Sequence, residues 1–96
     1  MHTPWGASQQ VTEVAPGIRW VSTASHGGFH LDAERNAKVP WVWRAASFAG
    51  RGMDGWYEED CDWSMVVLTF PDIAKPGDLE AARRTLQWTL RDALEG

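Results

Sequence analysis

The sequence has very little cysteine, since Cys61 is the only one among its 96 residues. One thiol cannot form a disulfide within the chain, which excludes the disulfide-stapled folds of small secreted domains. This usage is typical of a reducing compartment, so we expect the protein in the cytoplasm. A chain of this length buries roughly two thirds of its unfolded surface, so residues 1–96 are expected to fold as a single domain without staples.

Long apolar runs are also missing. No stretch approaches the ~18 consecutive apolar residues of a membrane-spanning helix. The first ten residues lack a basic start followed by an apolar run. We therefore expect neither a membrane span nor a signal peptide.

Basic residues are few and scattered. Nine Lys and Arg residues oppose thirteen Asp and Glu residues, which leaves a net charge of −4. The basic residues form no run longer than Arg83-Arg84. Neutralisation of phosphates supplies most of the affinity of nucleic-acid-binding proteins, so this pattern argues against direct nucleic-acid binding. It favours a protein partner with a basic surface.

Tryptophan, in contrast, is abundant, with seven residues in the chain. Indole rings bury a large apolar area, so most of them are expected to fill a small core. Two or three exposed rings would instead anchor a partner, because tryptophan is enriched at the hot spots of interfaces. Association of the chain into a homo-oligomer through these rings is a further alternative.

The first third of the chain has the alternating pattern of β-strands. Residues 8–14 and 18–24 alternate on either side of the turn signal at 15–17, which predicts an antiparallel hairpin. Residues 29–32 predict a short third strand. We attribute the Gly27-Gly28 pair before it to a tight turn that needs a positive φ.

The rest of the chain is mostly helical in pattern. Asp32 is a candidate cap for a helix over 33–38, and apolar residues recur at spacings of three and four from 78 to 94. Acidic residues before an apolar run favour helix over strand for 58–69, while 41–48 fits both. The predicted fold class is α+β: a small antiparallel three-stranded meander packed against helices, with a C-terminal amphipathic helix.

Two motifs carry the residues that are able to do chemistry. The first, "SHGGFH", places His26 and His30 on either side of the glycine pair. The second, "WYEEDCDW", packs four carboxylates and the only thiol between aromatic residues. We predict that it forms an acidic patch that binds the basic surface of a partner, made of Trp56, Tyr57, Glu58, Glu59, Asp60 and Asp62.

The same residues suggest a structural role and a catalytic alternative. A bridge from His26 or His30 to the carboxylates of the second motif would hold the two halves of the fold together. The alternative is an active site formed by Ser25, His26, His30 and Cys61, in a small metal-dependent or His/carboxylate hydrolase.

Two observations argue against the catalytic alternative. Neighbouring carboxylates raise the pKa of Cys61 and disfavour its nucleophilic thiolate. Known zinc sites space their ligands in pairs, whereas this chain has one thiol and glycines between its two histidines. We therefore expect no metal and no cofactor, and we favour a protein without enzymatic activity.

Several segments together resemble a known family. They are "TPWGASQQ" (3–10), "APGIRWVSTASHGGFHL" (15–31), "ERNAKVP" (34–40), "WYEEDCDW" (56–63) and "FP" (70–71). They are similar to a small domain of unknown function that recurs in phage, prophage and plasmid proteins. The resemblance covers residues 3 to about 72. It implies a mobile genetic element as the biological setting, but it implies no enzymatic reaction.

Mobile elements encode many small acidic proteins that block host defence. The resemblance, the net negative charge and the acidic motif together lead to one expectation of function. The protein is expected to be a non-enzymatic accessory factor, or an inhibitor of a host defence system of the anti-CRISPR or anti-restriction type.

Overall fold

The computed structural model describes residues 2–47 and 52–95, with side chains to residue 92. The strands are β1 (His2–Thr3), β2 (Gly6–Ala7), β3 (Gln10–Ala15), β4 (Ile18–Ser22), β5 (Gly27–Leu31) and β6 (Trp56–Glu58). The helices are α1 (Ala33–Lys38), α2 (Trp41–Ala46), α3 (Trp63–Thr69) and α4 (Asp78–Glu95). A 3₁₀ turn at Pro71–Ile73 follows α3.

The described strands form two antiparallel sheets. The larger has the order β3-β4-β5-β6, and β1 pairs only with β2. A mixed fold of helices and antiparallel strands is therefore confirmed, but the predicted three-stranded meander is incomplete, because β6 adds a fourth strand beside β5. The prediction missed β6 because three residues are too few to show an alternating pattern.

Two of the predicted helices are confirmed. Asp32 caps α1, since its carboxylate accepts a hydrogen bond of 2.8 Å from the backbone N–H of Arg35. α4 begins at the predicted Asp78. The ambiguous segment 41–48 contains the helix α2, and its last residue lies outside the described part of the chain.

The predicted helix over 58–69 is wrong at its start. α3 begins only at Trp63, and Glu58 ends strand β6. The carboxylates were read as the first turn of a helix, where they would favour the dipole. Pairing with β5 extends the chain through residue 58 instead, and a turn then separates this strand from α3.

The core lies between one face of the larger sheet and the helices α3 and α4. Ile18, Phe29 and Tyr57 from the sheet pack with Met65 of α3 and Leu86 of α4. α4 supplies the stripe predicted from its spacing, since Ala82 and Leu86 are buried. No helix among the described residues is long and apolar enough to cross a membrane.

The β1–β2 hairpin lies over the opposite face of the sheet at Gly28. Trp5, between these two strands, lies over Gly28 and meets Trp56 edge to face, with ring centroids 5.6 Å apart. Of the seven tryptophans, Trp41 and Trp88 are exposed, at 71% and 60%. The other five are half-buried, so most of the tryptophans serve the packing of the fold.

The glycine pair does not form a turn. Gly27 and Gly28 lie inside β5, and neither has a positive φ. The turn before them is closed by Thr23, whose hydroxyl donates to the carbonyl oxygen of His26 (2.9 Å) and accepts from the N–H of His26 (3.1 Å). The positive-φ explanation is therefore wrong, and Gly28 is needed because the carbonyl oxygen of Tyr57 and the ring of Trp5 leave no room for a Cβ.

Candidate functional site

Strand pairing brings the two chemistry-bearing motifs together. Gly28 of β5 lies opposite Glu58 of β6. One residue further on, the N–H of Glu59 donates a hydrogen bond of 3.0 Å to the carbonyl oxygen of Gly27. The two motifs, separated by about thirty residues of sequence, are thus neighbours in space. Their connection runs through the backbone.

Of the two histidines, only His30 contacts the second motif, and it does so by pairing and ring packing with Trp56. Ser25 and His26 are exposed at the turn, and His30 packs against Trp56, with ring centroids 4.4 Å apart. Burial and the charge of Arg19 lower the pKa of His30 against the opposing effect of Asp32. Within residues 2–47 and 52–95, no ion pair joins either imidazole to a carboxylate of the acidic motif.

Glu58 has a structural task that its sequence position does not reveal. Its carboxylate accepts hydrogen bonds from the backbone N–H groups of Asp60 (2.8 Å), Cys61 (2.6 Å) and Asp62 (3.0 Å). It therefore satisfies the donors of the turn that leads into α3, as an N-cap residue does for a helix.

Two further members of the acidic motif also turn inward. Asp62 is only 4% exposed, and the half-buried Cys61 lies beside Thr89 of α4. Burial is the main cause that raises the pKa of Cys61. The nearby carboxylates add to this rise, and a hydrogen bond with Thr89 opposes it. The raised pKa keeps the thiol protonated, which disfavours a nucleophilic role.

Tyr57 belongs to a buried polar network. Its side chain is 0% exposed, and its hydroxyl donates to Oδ1 of Asn36. Nδ2 of Asn36 in turn donates to Oδ1 of Asp54, at 2.8 Å. Burial raises the pKa of Tyr57, Asp54 and Asp62 add to the rise, and Arg44 opposes it. The phenol is thus a protonated donor that ties β6 to α1, and it is not at the surface.

The predicted acidic patch is therefore reduced to two side chains. Glu59 and Asp60 are exposed, whereas Asp62 and Tyr57 are buried. The half-buried Glu58 carboxylate is taken up by the turn N–H groups. Trp56 is half-buried between Trp5 and His30. No three His, Cys, Asp or Glu side chains in the described ranges are grouped so that they could hold a metal ion.

A groove next to Glu59 is a feature that the sequence did not indicate. It has a volume of about 530 Å³ and lies between the sheet and the segment from α3 to the start of α4. Trp20 and Phe29 meet edge to face within it, with ring centroids 4.9 Å apart. We call this cavity the sheet groove; it is lined by Thr12, Val14, Trp20, Phe29, Glu59, Trp63, Val67, Ile73, Lys75 and Asp78.

The alternation of side chains along the strands indicates one wall of this groove. Thr12 lies opposite Trp20, and Trp20 lies opposite Phe29, so these side chains share one face of the sheet. The alternation of β4 would have placed Trp20 on that face. It could not show that α3 leaves part of this face uncovered.

We expect replacement of Glu58 by alanine to destabilise the fold by about 1 kcal/mol, the typical cost of losing a capping side chain. The substitution removes the acceptor of three backbone N–H groups. Urea unfolding followed by circular dichroism measures the change.

Glu59→Ala is the matched control, because Glu59 has the same side chain and is exposed. We expect its free energy of unfolding to stay within about 0.5 kcal/mol of the parent value. Equal losses for the two variants would contradict a capping role for Glu58.

Comparison with known proteins agrees with the resemblance drawn from the sequence motifs. The model of a domain of unknown function, DUF7007, matches residues 1–96. No curated protein and no solved structure matches the chain. The match to the family model extends over the whole sequence, including α4, and so the chain belongs to the DUF7007 family of domains of unknown function.

Proposed function

We propose that the protein is a non-enzymatic binding protein that captures a partner with a basic surface. The contact surface is the sheet groove together with Glu59 and Asp60 beside it. The observation that carries the proposal is an open apolar groove of about 530 Å³ that has an exposed carboxylate, Glu59, in its lining.

The two parts of this surface would act differently. The aromatic surface of the groove comes from Trp20, Phe29 and Trp63. An apolar side chain of the partner would bury this surface, and such desolvated contacts dominate binding energy. The carboxylates of Glu59 and Asp60 would attract basic residues, which speeds encounter and makes it sensitive to salt. Binding is therefore expected to weaken, but not to vanish, at high ionic strength.

The biological setting is part of the same proposal. The resemblance to domains of phage, prophage and plasmid proteins, together with the net charge of −4, supports a role in a mobile element within the cytoplasm of its host. An accessory factor or an inhibitor of host defence acts by occupying a surface of another protein. A small binding domain meets that requirement.

The hydrolase alternative has less support. It needs His26, His30 and the acidic motif to converge on one reacting group. His26 is exposed at the turn before β5, and His30 packs against Trp56. Cys61 lies beside Thr89. These positions do not form a nucleophile with an adjacent base, which is what covalent catalysis requires.

Reversing the two exposed charges tests the proposed function. The parent protein and the double variant, which carries Glu59→Lys and Asp60→Lys, are each immobilised. Lysate of the cells that encode the protein is then passed over both. Recovered proteins are quantified by mass spectrometry at low and high salt. We expect the double variant to lose partners that the parent protein recovers in a salt-sensitive way.

The control carries the same change in charge at a different place. Glu34→Lys, Asp92→Lys alters two exposed acids that do not line the sheet groove, and it should recover the same partners as the parent. Circular dichroism checks that all three proteins are folded. Equal recovery by both double variants would contradict a role for Glu59 and Asp60.

A further inference from the structure

Strand β3 has an open edge. Among the described residues it pairs only with β4, so its outer backbone N–H and C=O groups have no strand partner. Five of its six residues are exposed. Unpaired edges of this kind are templates for another strand, and proteins commonly protect them with proline or lysine. β3 contains neither residue.

The open edge and the sheet groove are continuous. Thr12 and Val14 of β3 line the groove, and Val14 is 40% exposed. Glu13, between them, is on the other face of the strand, opposite Arg19. A strand added along β3 would therefore place every second side chain in the sheet groove, because side chains alternate between the two faces.

We propose that an extended segment of the partner protein binds by adding a fifth strand to the larger sheet along β3. Its backbone pairs with the open edge, and its alternate apolar side chains enter the sheet groove. The register of β3 shifts between Glu13 and Ala15, so the regular pairing covers residues 10–13. This inference rests on the proposed function and specifies the form that the partner takes.

The negative charge of the protein indicates which kind of segment would bind along β3. The charged residues in the groove lining are Glu59, Asp78 and Lys75, and the whole chain is acidic. In the part of the chain that the structure describes, no ion pair joins the Glu59 carboxylate to a basic residue. A second copy would carry the same net charge of −4, whereas a segment with Lys or Arg beside its apolar residues complements an acidic chain.

Synthetic peptides test this form of binding directly. The probes are three fluorescein-labelled ten-residue peptides with lysine at both ends and threonine alternating with valine, leucine or phenylalanine. Counterparts with glutamate at both ends are the charge controls. Binding is measured by fluorescence anisotropy, and backbone amide exchange is measured by NMR. We expect at least one lysine peptide to bind and to slow exchange of β3 amides.

N-methylation separates strand addition from simple occupation of the groove. Each binding peptide is made in two versions, N-methylated on one or the other alternate set of residues. One set of N–H groups faces β3 and the other faces away, so we expect one version to lose binding and the other to keep it. We also expect Glu59→Lys to weaken binding of the lysine peptide about fivefold.

Several outcomes would overturn strand addition. They are equal binding by both N-methylated versions, peptide binding without protection of β3, no binding by any of the peptides at millimolar concentration, or dimers of the free protein that pair through β3. None of these results removes the proposed capture of a folded basic surface. That proposal depends on the Glu59 and Asp60 reversal alone, so the two can fail separately.

Discussion

Replacement of Gly28 by alanine is expected to destabilise the fold by about 3 kcal/mol, at the upper end of overpacking costs. A Cβ at this position would clash with the carbonyl oxygen of Tyr57 and would lie 2.7 Å from Cη2 of Trp5. The first of these atoms belongs to the backbone of the neighbouring strand β6, so it cannot move without disturbing the pairing of β5 and β6.

A competing effect reduces the cost but does not reverse it. Alanine restricts the unfolded chain more than glycine does, which stabilises a compatible site by about 0.4–1 kcal/mol. The φ of Gly28 is not positive, so alanine keeps this benefit. The cost of the clash is larger than this benefit, because room for a Cβ requires both a shift of the β6 backbone and movement of the Trp5 ring.

Gly27→Ala is the graded comparison for this prediction. A Cβ there would lie 3.0 Å from the carbonyl oxygen of Val21, which is tight but calls for a smaller shift. We expect Gly27→Ala to cost less than Gly28→Ala, and Ser25→Ala at the exposed turn to be close to neutral. Urea unfolding gives all three values. A Gly28→Ala protein as stable as the parent would contradict the close approach of the Tyr57 carbonyl oxygen and the Trp5 ring to this glycine.

Replacement of Tyr57 by phenylalanine is expected to cost about 2 kcal/mol. The ring remains in the core, but Oδ1 of Asn36 loses the hydroxyl that donates to it. Asn36 is only 5% exposed, so water does not easily replace the lost donor. The cost is that of a buried acceptor left without a partner, which exceeds the net value of an ordinary hydrogen bond.

A double-mutant cycle distinguishes this cause from a loss of packing. The single variant Asn36→Leu removes the amide. The hydroxyl of Tyr57 then loses its acceptor, and the carboxylate of Asp54 loses a donor. The double variant Tyr57→Phe, Asn36→Leu removes both partners of the buried hydrogen bond, so we expect it to cost less than the sum of the single variants. Strict additivity of the two free-energy changes would contradict a direct coupling.

The acidic motif shows which structural information a local sequence pattern lacks. Four carboxylates before an apolar run have the same pattern whether the segment is the first turn of a helix or the end of a strand. Pairing with β5 decides for the strand as far as Glu58, and this pairing joins residues about thirty positions apart. No local pattern contains that information, and the different roles of Glu58 and Glu59 follow from it.

The glycine pair shows the same limit. Its sequence context, between Thr23 and Phe29, is as compatible with a turn as with a strand under a large ring. The ring belongs to Trp5, which is more than twenty residues away and reaches Gly28 only because the β1–β2 hairpin folds over the sheet. Backbone conformation alone would have allowed other residues at this position.

The sequence by itself determined the elements that depend on neighbouring residues: the β3–β4 hairpin, the capped helix α1 and the amphipathic helix α4. Periodicity and capping act within a few residues, so they can be recognised in the sequence without knowledge of the tertiary structure. Only the tertiary structure decided which carboxylates are exposed, where the glycines are needed and that Trp20 and Phe29 line a groove. These features arise where distant segments meet, because burial is a property of the packed chain.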